Sequence, residues 1–211
     1  MYLTAGKEQS FVRLPYYGPK HPFIITKDGK QKKDTVFYSI PDFKFKNQDN
    51  KEVTSLALHG RIWVCCFEHL HDTKVAPSQA ILMNRIEERT DRDSALRIIT
   101  FALDSETSKG LADYAALVHA GKRQFFLSGD SGKVTQFAAD VFYQPVDSSY
   151  KNGMVHFFLI DKEGCIRGIY NGLHVKEVDA LIDNISVLEA AYYVKQNREK
   201  TKKEKEDDDA M

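Results

Sequence analysis

Three short, almost unbroken apolar runs, each followed by residues at helical spacing, constrain this chain more than any other feature. The first is Ile62-Trp63-Val64-Cys65-Cys66-Phe67, the second covers residues 96–103 and the third, shorter, residues 124–128. Apolar runs of strand length that do not alternate read as strands buried on both faces, and such strands require a sheet covered by helices. After the first run, Pro77 suits the first turn of a helix with Ala80, Ile81, Leu82 and Ile86 on one side and Arg85, Glu87, Glu88 and Arg89 on the other. Leu111, Tyr114, Ala115 and Val118 follow the second run at helical spacing, and Val134, Phe137, Ala138, Val141 and Phe142 follow the third.

Residues 155–161 and 166–170 flank Asp161-Lys162-Glu163-Gly164, which predicts two strands joined by a tight turn. Residues 175–191 then form a helix with Val178, Leu181, Ile182, Ile185 and Leu188 on one face. Upstream, Ile24-Ile25-Thr26 and Thr35-Val36-Phe37-Tyr38 bracket a turn near Asp28-Gly29, and Phe43-Lys44-Phe45-Lys46 pairs with a strand at Val53 across the turn at residues 47–50. This order predicts an α/β fold, a thioredoxin-like sandwich whose central mixed sheet is flanked by helices, with an N-terminal hairpin extension. The expected division is an extension over residues 1–38, the sandwich over 39–194, and a tail over 195–211. In that tail six basic and six acidic residues replace the apolar pattern, which reads as solvated, frayed and disordered.

Thirty basic and thirty acidic side chains cancel, which argues against a nucleic-acid partner or a polybasic surface over the whole molecule. No apolar stretch reaches the roughly 20 residues of a membrane-spanning helix. The first seven residues lack an apolar targeting core, so the expectation is a cytoplasmic chain or an exported one whose targeting segment lies outside this sequence. Cys65, Cys66 and Cys165 do not make a disulfide framework, and adjacent cysteines cannot bridge without severe strain. They read as small hydrophobes packed on strands, with Cys65 and Cys66 on opposite faces.

Several segments in one order carry a resemblance from Leu14 to about Leu188. They are Leu14-Pro15-Tyr16-Tyr17-Gly18, Ile40-Pro41-Asp42-Phe43-Lys44-Phe45 with Asn47-Gln48-Asp49, and Phe126-Leu127-Ser128-Gly129-Asp130. The most specific is Leu159-Ile160-Asp161-Lys162-Glu163-Gly164 with Ile166-Arg167-Gly168-Ile169-Tyr170-Asn171-Gly172. The chain resembles the SCO/SenC family, thioredoxin-fold copper proteins that help assemble cytochrome c oxidase, and most the branch found in Bacteroidetes-type bacteria. The resemblance implies a periplasmic or cell-envelope setting and a protein partner, an oxidase subunit or a copper protein.

The family's copper site resembles C-P-x-x-C-P just after the first buried strand, plus a histidine before the late strand. Aligned on Phe67, His71, Val75 and Pro77, this chain has Asp72 and Ala76 at the cysteine positions and Thr73 at the intervening proline. Gly153 falls where the histidine would stand. Soft thiolates give such a site its affinity for Cu(I), and a thiol pair gives it two-electron redox chemistry. The resemblance therefore does not carry copper-chaperone or oxidoreductase activity with it.

The leading expectation is a degenerate SCO/SenC-like protein with no catalytic residue and no cofactor, a binding or assembly factor. Its partner surface would be residues 69–77 and the loop 146–153, including Asp147-Ser148-Ser149-Tyr150. A second reading, a copper or zinc carrier, rebuilds a site from His69, His71, Asp72 and His156, ligands suited to Cu(II) or Zn(II). Against it, His156 lies three residues from Gly153 and faces the other side of a regular strand. A third reading, a thiol-disulfide oxidoreductase, needs an exposed, acidic thiol. Residues 128–133 lack phosphate-loop spacing, and Asp104 reads as a helix-entry residue with Ser105 and Thr107.

Overall fold

The computed structural model describes residues 13–27, 30–90, 95–142 and 155–208. In chain order the elements are β1 (Lys20–Lys27), β2 (Lys30–Phe37), β3 (Lys44–Asn47), β4 (Glu52–Thr54), α1 (Ser55–Leu58), β5 (Trp63–Glu68) and α2 (Ala76–Arg89). There follow β6 (Arg97–Ala102), α3 (Ser108–Leu117), β7 (Gln124–Ser128), α4 (Ser131–Phe142), β8 (His156–Ile160), β9 (Ile166–Asn171) and α5 (Val175–Asp208). Seven strands form one mixed sheet in the order β4-β3-β7-β6-β5-β8-β9, and β1 and β2 form a separate two-stranded ribbon. The three apolar runs are the parallel strands β5, β6 and β7, while β3 and β8 pair antiparallel on either side of them.

Side-chain alternation along these strands builds two cores. Val64, Cys66, Ile98, Phe157 and Leu159 face Leu82, Met83 and Ile86 of α2 and Val178, Leu181, Ile182 and Ile185 of α5. Trp63, Cys65, Phe67, Phe101 and Phe158 face Val134, Ala138, Val141 and Phe142 of α4. Phe67 and Phe101 stack at 5.0 Å at the centre of an aromatic cluster on that side. Helix α3 packs Leu111 against Leu70 and Phe126. Fully burying each such side chain contributes roughly 1.5–3 kcal/mol, so the two faces account for both the apolar runs and the helical stripes.

The segment that carries the strongest resemblance is structural. Arg167 donates to Asp161 Oδ2 at 2.8 Å, to Leu14 O at 2.7 Å and to Pro15 O at 3.0 Å. The other Asp161 oxygen accepts from the backbone N–H of Glu163 and Cys165 and so closes the β8–β9 turn. One buried ion pair thus joins the late hairpin to the Leu14-Pro15 segment. Gly18 is required where the chain turns into β1, because its φ is +92° and a Cβ there would lie 2.8 Å from Tyr38.

Two features differ from expectation. Residues 195–208 do not fray into a tail: α5 runs unbroken from Val175 to Asp208. Lys, Glu, Gln and Arg are strong helix formers, and a run of them carries the helix beyond its apolar stripe. The four-residue α1 was not legible, since Thr54, which caps it by accepting from Ala57 N, sits in what reads as a strand. The turn at Asp28-Gly29, the loop 146–153 and Gly153 lie outside the described residues.

Candidate functional site

The loops that follow β5, β6 and β7 converge at the carboxyl ends of the parallel strands, where open α/β sheets place their sites. Past Glu68 the β5–α2 loop carries both histidines of interest. His69 Nδ1 lies 2.8 Å from Asp104 Oδ1, and His71 Nε2 lies 2.5 Å from Glu106 Oε1. Two imidazole–carboxylate pairs therefore fasten the β5–α2 loop to the β6–α3 loop. The second loop is itself held, because Glu106 N donates to Ser128 Oγ at the end of β7. A carboxylate on one ring nitrogen fixes the tautomer and leaves the other nitrogen as the acceptor.

Asp104 is thus not the helix-entry residue. Thr107 caps α3 by accepting from Gly110 N, and Asp104 is spent on His69. Asp72 closes the turn ahead of α2: its Oδ1 accepts from the backbone of Lys74 at 2.9 Å and Val75 at 3.3 Å, and Ala76 N donates to its carbonyl. Ala76 is buried at the first position of α2. Asp72 and Ala76, which the resemblance sets at the family's thiol positions, thus lie in the turn before α2 and at its first residue.

Of the candidate ligands, His69, His71 and Asp72 share one loop, while His156 sits at the start of β8 with its ring 6.2 Å from Phe158, on the α4 side of the sheet. Half-burial pushes the His156 pKa down and favours the neutral ring. Among the described residues no three His, Cys, Asp or Glu side chains come together to hold a metal ion.

The thiols are chemically quiet. All three are free and buried. Burial raises the pKa of Cys65 and Cys66 well above the ordinary thiol value, and burial with the Asp161 and Glu163 charges pushes Cys165 up to about 11. None carries the thiolate that exchange chemistry needs at neutral pH.

What the sequence reading missed lies just beneath the histidines. Glu68 ends β5 buried, on the same side of the sheet as Cys66. Burial, reinforced by the nearby charges of Asp104 and Asp72, pushes its carboxyl up to about 8, although a 3.3 Å hydrogen bond from the Tyr114 hydroxyl opposes the shift. Cys66 Sγ lies 3.7 Å from Thr100 Oγ1. The Gln79 amide is wholly enclosed nearby, and Asp104 keeps one buried oxygen without a hydrogen bond. A charged residue directly after an apolar run was the available signal, and it looked like an ordinary strand end.

A groove of about 600 Å³ lies elsewhere, between the base of the ribbon and α5, lined by Leu14, Tyr16, Phe37, Leu188, Tyr192 and Arg198. Charged side chains, Arg13, Glu163, Arg167, Lys195 and Glu199 among them, share that lining with the apolar ones, and no His or Cys lies in it.

A family model described as SCO1/SenC matches residues 31–206. The chain belongs to the SCO1/SenC family. The SCO1 protein homolog of Bacillus subtilis (strain 168) is 27% identical over 77% of this chain and 89% of its own length. The solved structure of BsSco, described as a member of the Sco family of cytochrome c oxidase assembly proteins, superposes with a TM-score of 0.63 at 24% identity, covering 71% of this chain and 92% of that one. Copper-bound ScoI of Bradyrhizobium japonicum gives a TM-score of 0.55 at 18% identity, covering 70% of this chain and 99% of that one. Within the SCO1/SenC fold, copper held by a cysteine pair does not fit this chain's donors, since Cys65 and Cys66 lie in the two opposite cores and Cys165 is buried at the β8–β9 turn.

Proposed function

We propose that this SCO1/SenC protein is a non-catalytic binding or assembly factor in respiratory-oxidase maturation at the cell envelope, working without the family's thiolate copper site. The observation that carries the reading is the local fold at Asp72 and Ala76, where a carboxylate closes the turn ahead of α2 and an alanine begins the helix at the positions the resemblance gives to two soft ligands. The oxidase context comes from family membership and from the assembly role stated for BsSco. A protein partner, an oxidase subunit or a copper protein, would meet the rim formed by residues 69–77, whose shape the two His–carboxylate pairs hold.

The same pairs favour one second reading. Carboxylate-backed imidazoles are the form in which histidine binds metals, so His69 and His71, with Asp72 brought in by a rearrangement of the loop, would be the donors of an altered Cu(II) or Zn(II) carrier.

Titration of the purified protein with Cu(I), Cu(II) and Zn(II), beside His71→Ala, decides between them. The assembly reading expects no one-to-one Cu(I) complex with sulfur-to-metal absorption, and no tight Cu(II) or Zn(II). Stoichiometric Cu(II) or Zn(II) binding abolished by His71→Ala would replace it with the carrier reading.

A further inference from the structure

The β1–β2 ribbon leaves in water what the rest of the molecule hides. Among the described residues its strands pair only with each other, yet its base is firmly held. The Tyr16 and Phe37 rings stack at 3.7 Å, the Arg167 guanidinium sits 3.9 Å from the Tyr16 ring centre, and the Tyr38 hydroxyl donates to Val141 O at 3.0 Å. Beyond that base Phe23 is 42% exposed, Ile24 59% and Ile25 39%, a contiguous apolar triplet on one strand.

Charge is concentrated in the same element. Residues 20–37 hold five lysines and two aspartates, an excess of three positive charges on a chain whose total is zero. The two strands divide the chemistry: β1 carries Pro22-Phe23-Ile24-Ile25, and the register sets Ile24 opposite Lys33 and Ile25 opposite Lys32 on β2. Neighbouring strands lie about 4.8 Å apart, so an apolar stretch in the middle of β1 runs beside Lys32 and Lys33 of β2, with Lys20 and Lys27 at the two ends of β1 and exposed Val36 on β2. Successive side chains point to opposite faces, which puts Phe23 and Ile25 on one face and Ile24 on the other. A partner covering a single face leaves part of the triplet in water, whereas a medium that receives the β1 edge takes all three.

We propose that the β1 edge docks on an anionic phospholipid surface, with Phe23, Ile24 and Ile25 at the boundary between headgroups and acyl chains and Lys32 and Lys33 at the phosphates. Interfacial binding of this kind combines buried apolar area with attraction to anionic lipid, and each lysine near such a surface strengthens binding about fivefold. The ribbon then lies in the membrane surface and leaves the carboxyl ends of β5, β6 and β7 for a protein partner.

Flotation of the full chain with vesicles of phosphatidylcholine, with and without phosphatidylglycerol, tests this. The expected result is recovery with the phosphatidylglycerol vesicles only, falling as salt rises. Ile24→Ser/Ile25→Ser and Lys32→Glu/Lys33→Glu each lose at least tenfold with far-UV circular dichroism unchanged, while Leu56→Ser, at an exposed position on α1, binds like the parent. No recovery with anionic vesicles, or ribbon variants that bind like the parent, overturns the proposal. Retention on an acidic polypeptide without vesicle binding overturns it in favour of an acidic protein partner. A dimer in solution that Ile24→Ser dissociates, without vesicle binding, overturns it in favour of a second copy of this chain.

Discussion

Glu68 shows how one residue ties the site to stability. Its carboxyl titrates near 8 in the folded protein against an ordinary 4.5, because burial at the end of β5 disfavours the charge. Between those values the folded state holds a proton that the unfolded state has released, so the contribution of Glu68 to stability is fully present below pH 4.5 and is lost as pH rises toward about 8. The loss by pH 7 from this group is about 3 kcal/mol. Glu68→Gln, which keeps the shape and the Tyr114 contact without the charge, is expected to flatten that decline and to stabilise the protein above pH 7. Urea midpoints from pH 5 to 8 check this, and parallel pH profiles for parent and variant would refute it. The same residue explains a limit of sequence reading: a glutamate at a strand end is ordinarily solvated, and only the approach of α3 with Tyr114 encloses it.

Two elements differ in how they are held. The Leu14-Pro15 segment depends on Arg167, whose side chain satisfies two backbone carbonyls and a buried carboxylate at once. Arg167→Ala leaves Asp161 charged and enclosed, and removing one partner of a buried pair costs about 3–5 kcal/mol. Chemical denaturation is expected to show that loss, together with proteolysis ahead of Gly18 under conditions where the parent resists. Helix α5 is the opposite case, since its core face ends at Leu188, with Tyr192 partly packed. Ending the chain after Arg198 is expected to remove about 10 helical residues from the circular dichroism signal while shifting stability by no more than about 0.5 kcal/mol. A large cooperative loss would mean that the last turns of α5 cover something. The closing helix was legible from its apolar stripe, but its end was not, because helix-forming charged residues and a solvated tail have the same composition.

At the scale of the whole molecule, the SCO1/SenC scaffold keeps its three cysteines buried and unbridged. A variant carrying Cys65→Ala, Cys66→Val and Cys165→Ala, in a strain lacking the protein, is expected to support oxidase activity as the parent does once folding is verified. Failure with the fold intact would return a thiol to the mechanism. The sequence by itself determined the sandwich, the two faces of β5 and the family, because strand runs, helical stripes and motif order are local facts of the chain. Tertiary structure alone decided that His69 and His71 are tied to Asp104 and Glu106, that Glu68 is enclosed, that Arg167 anchors the start of the described chain, and that an apolar strand edge stays in water. Each of those depends on residues tens of positions apart meeting in space, and spacing along one segment carries no record of the approach of another.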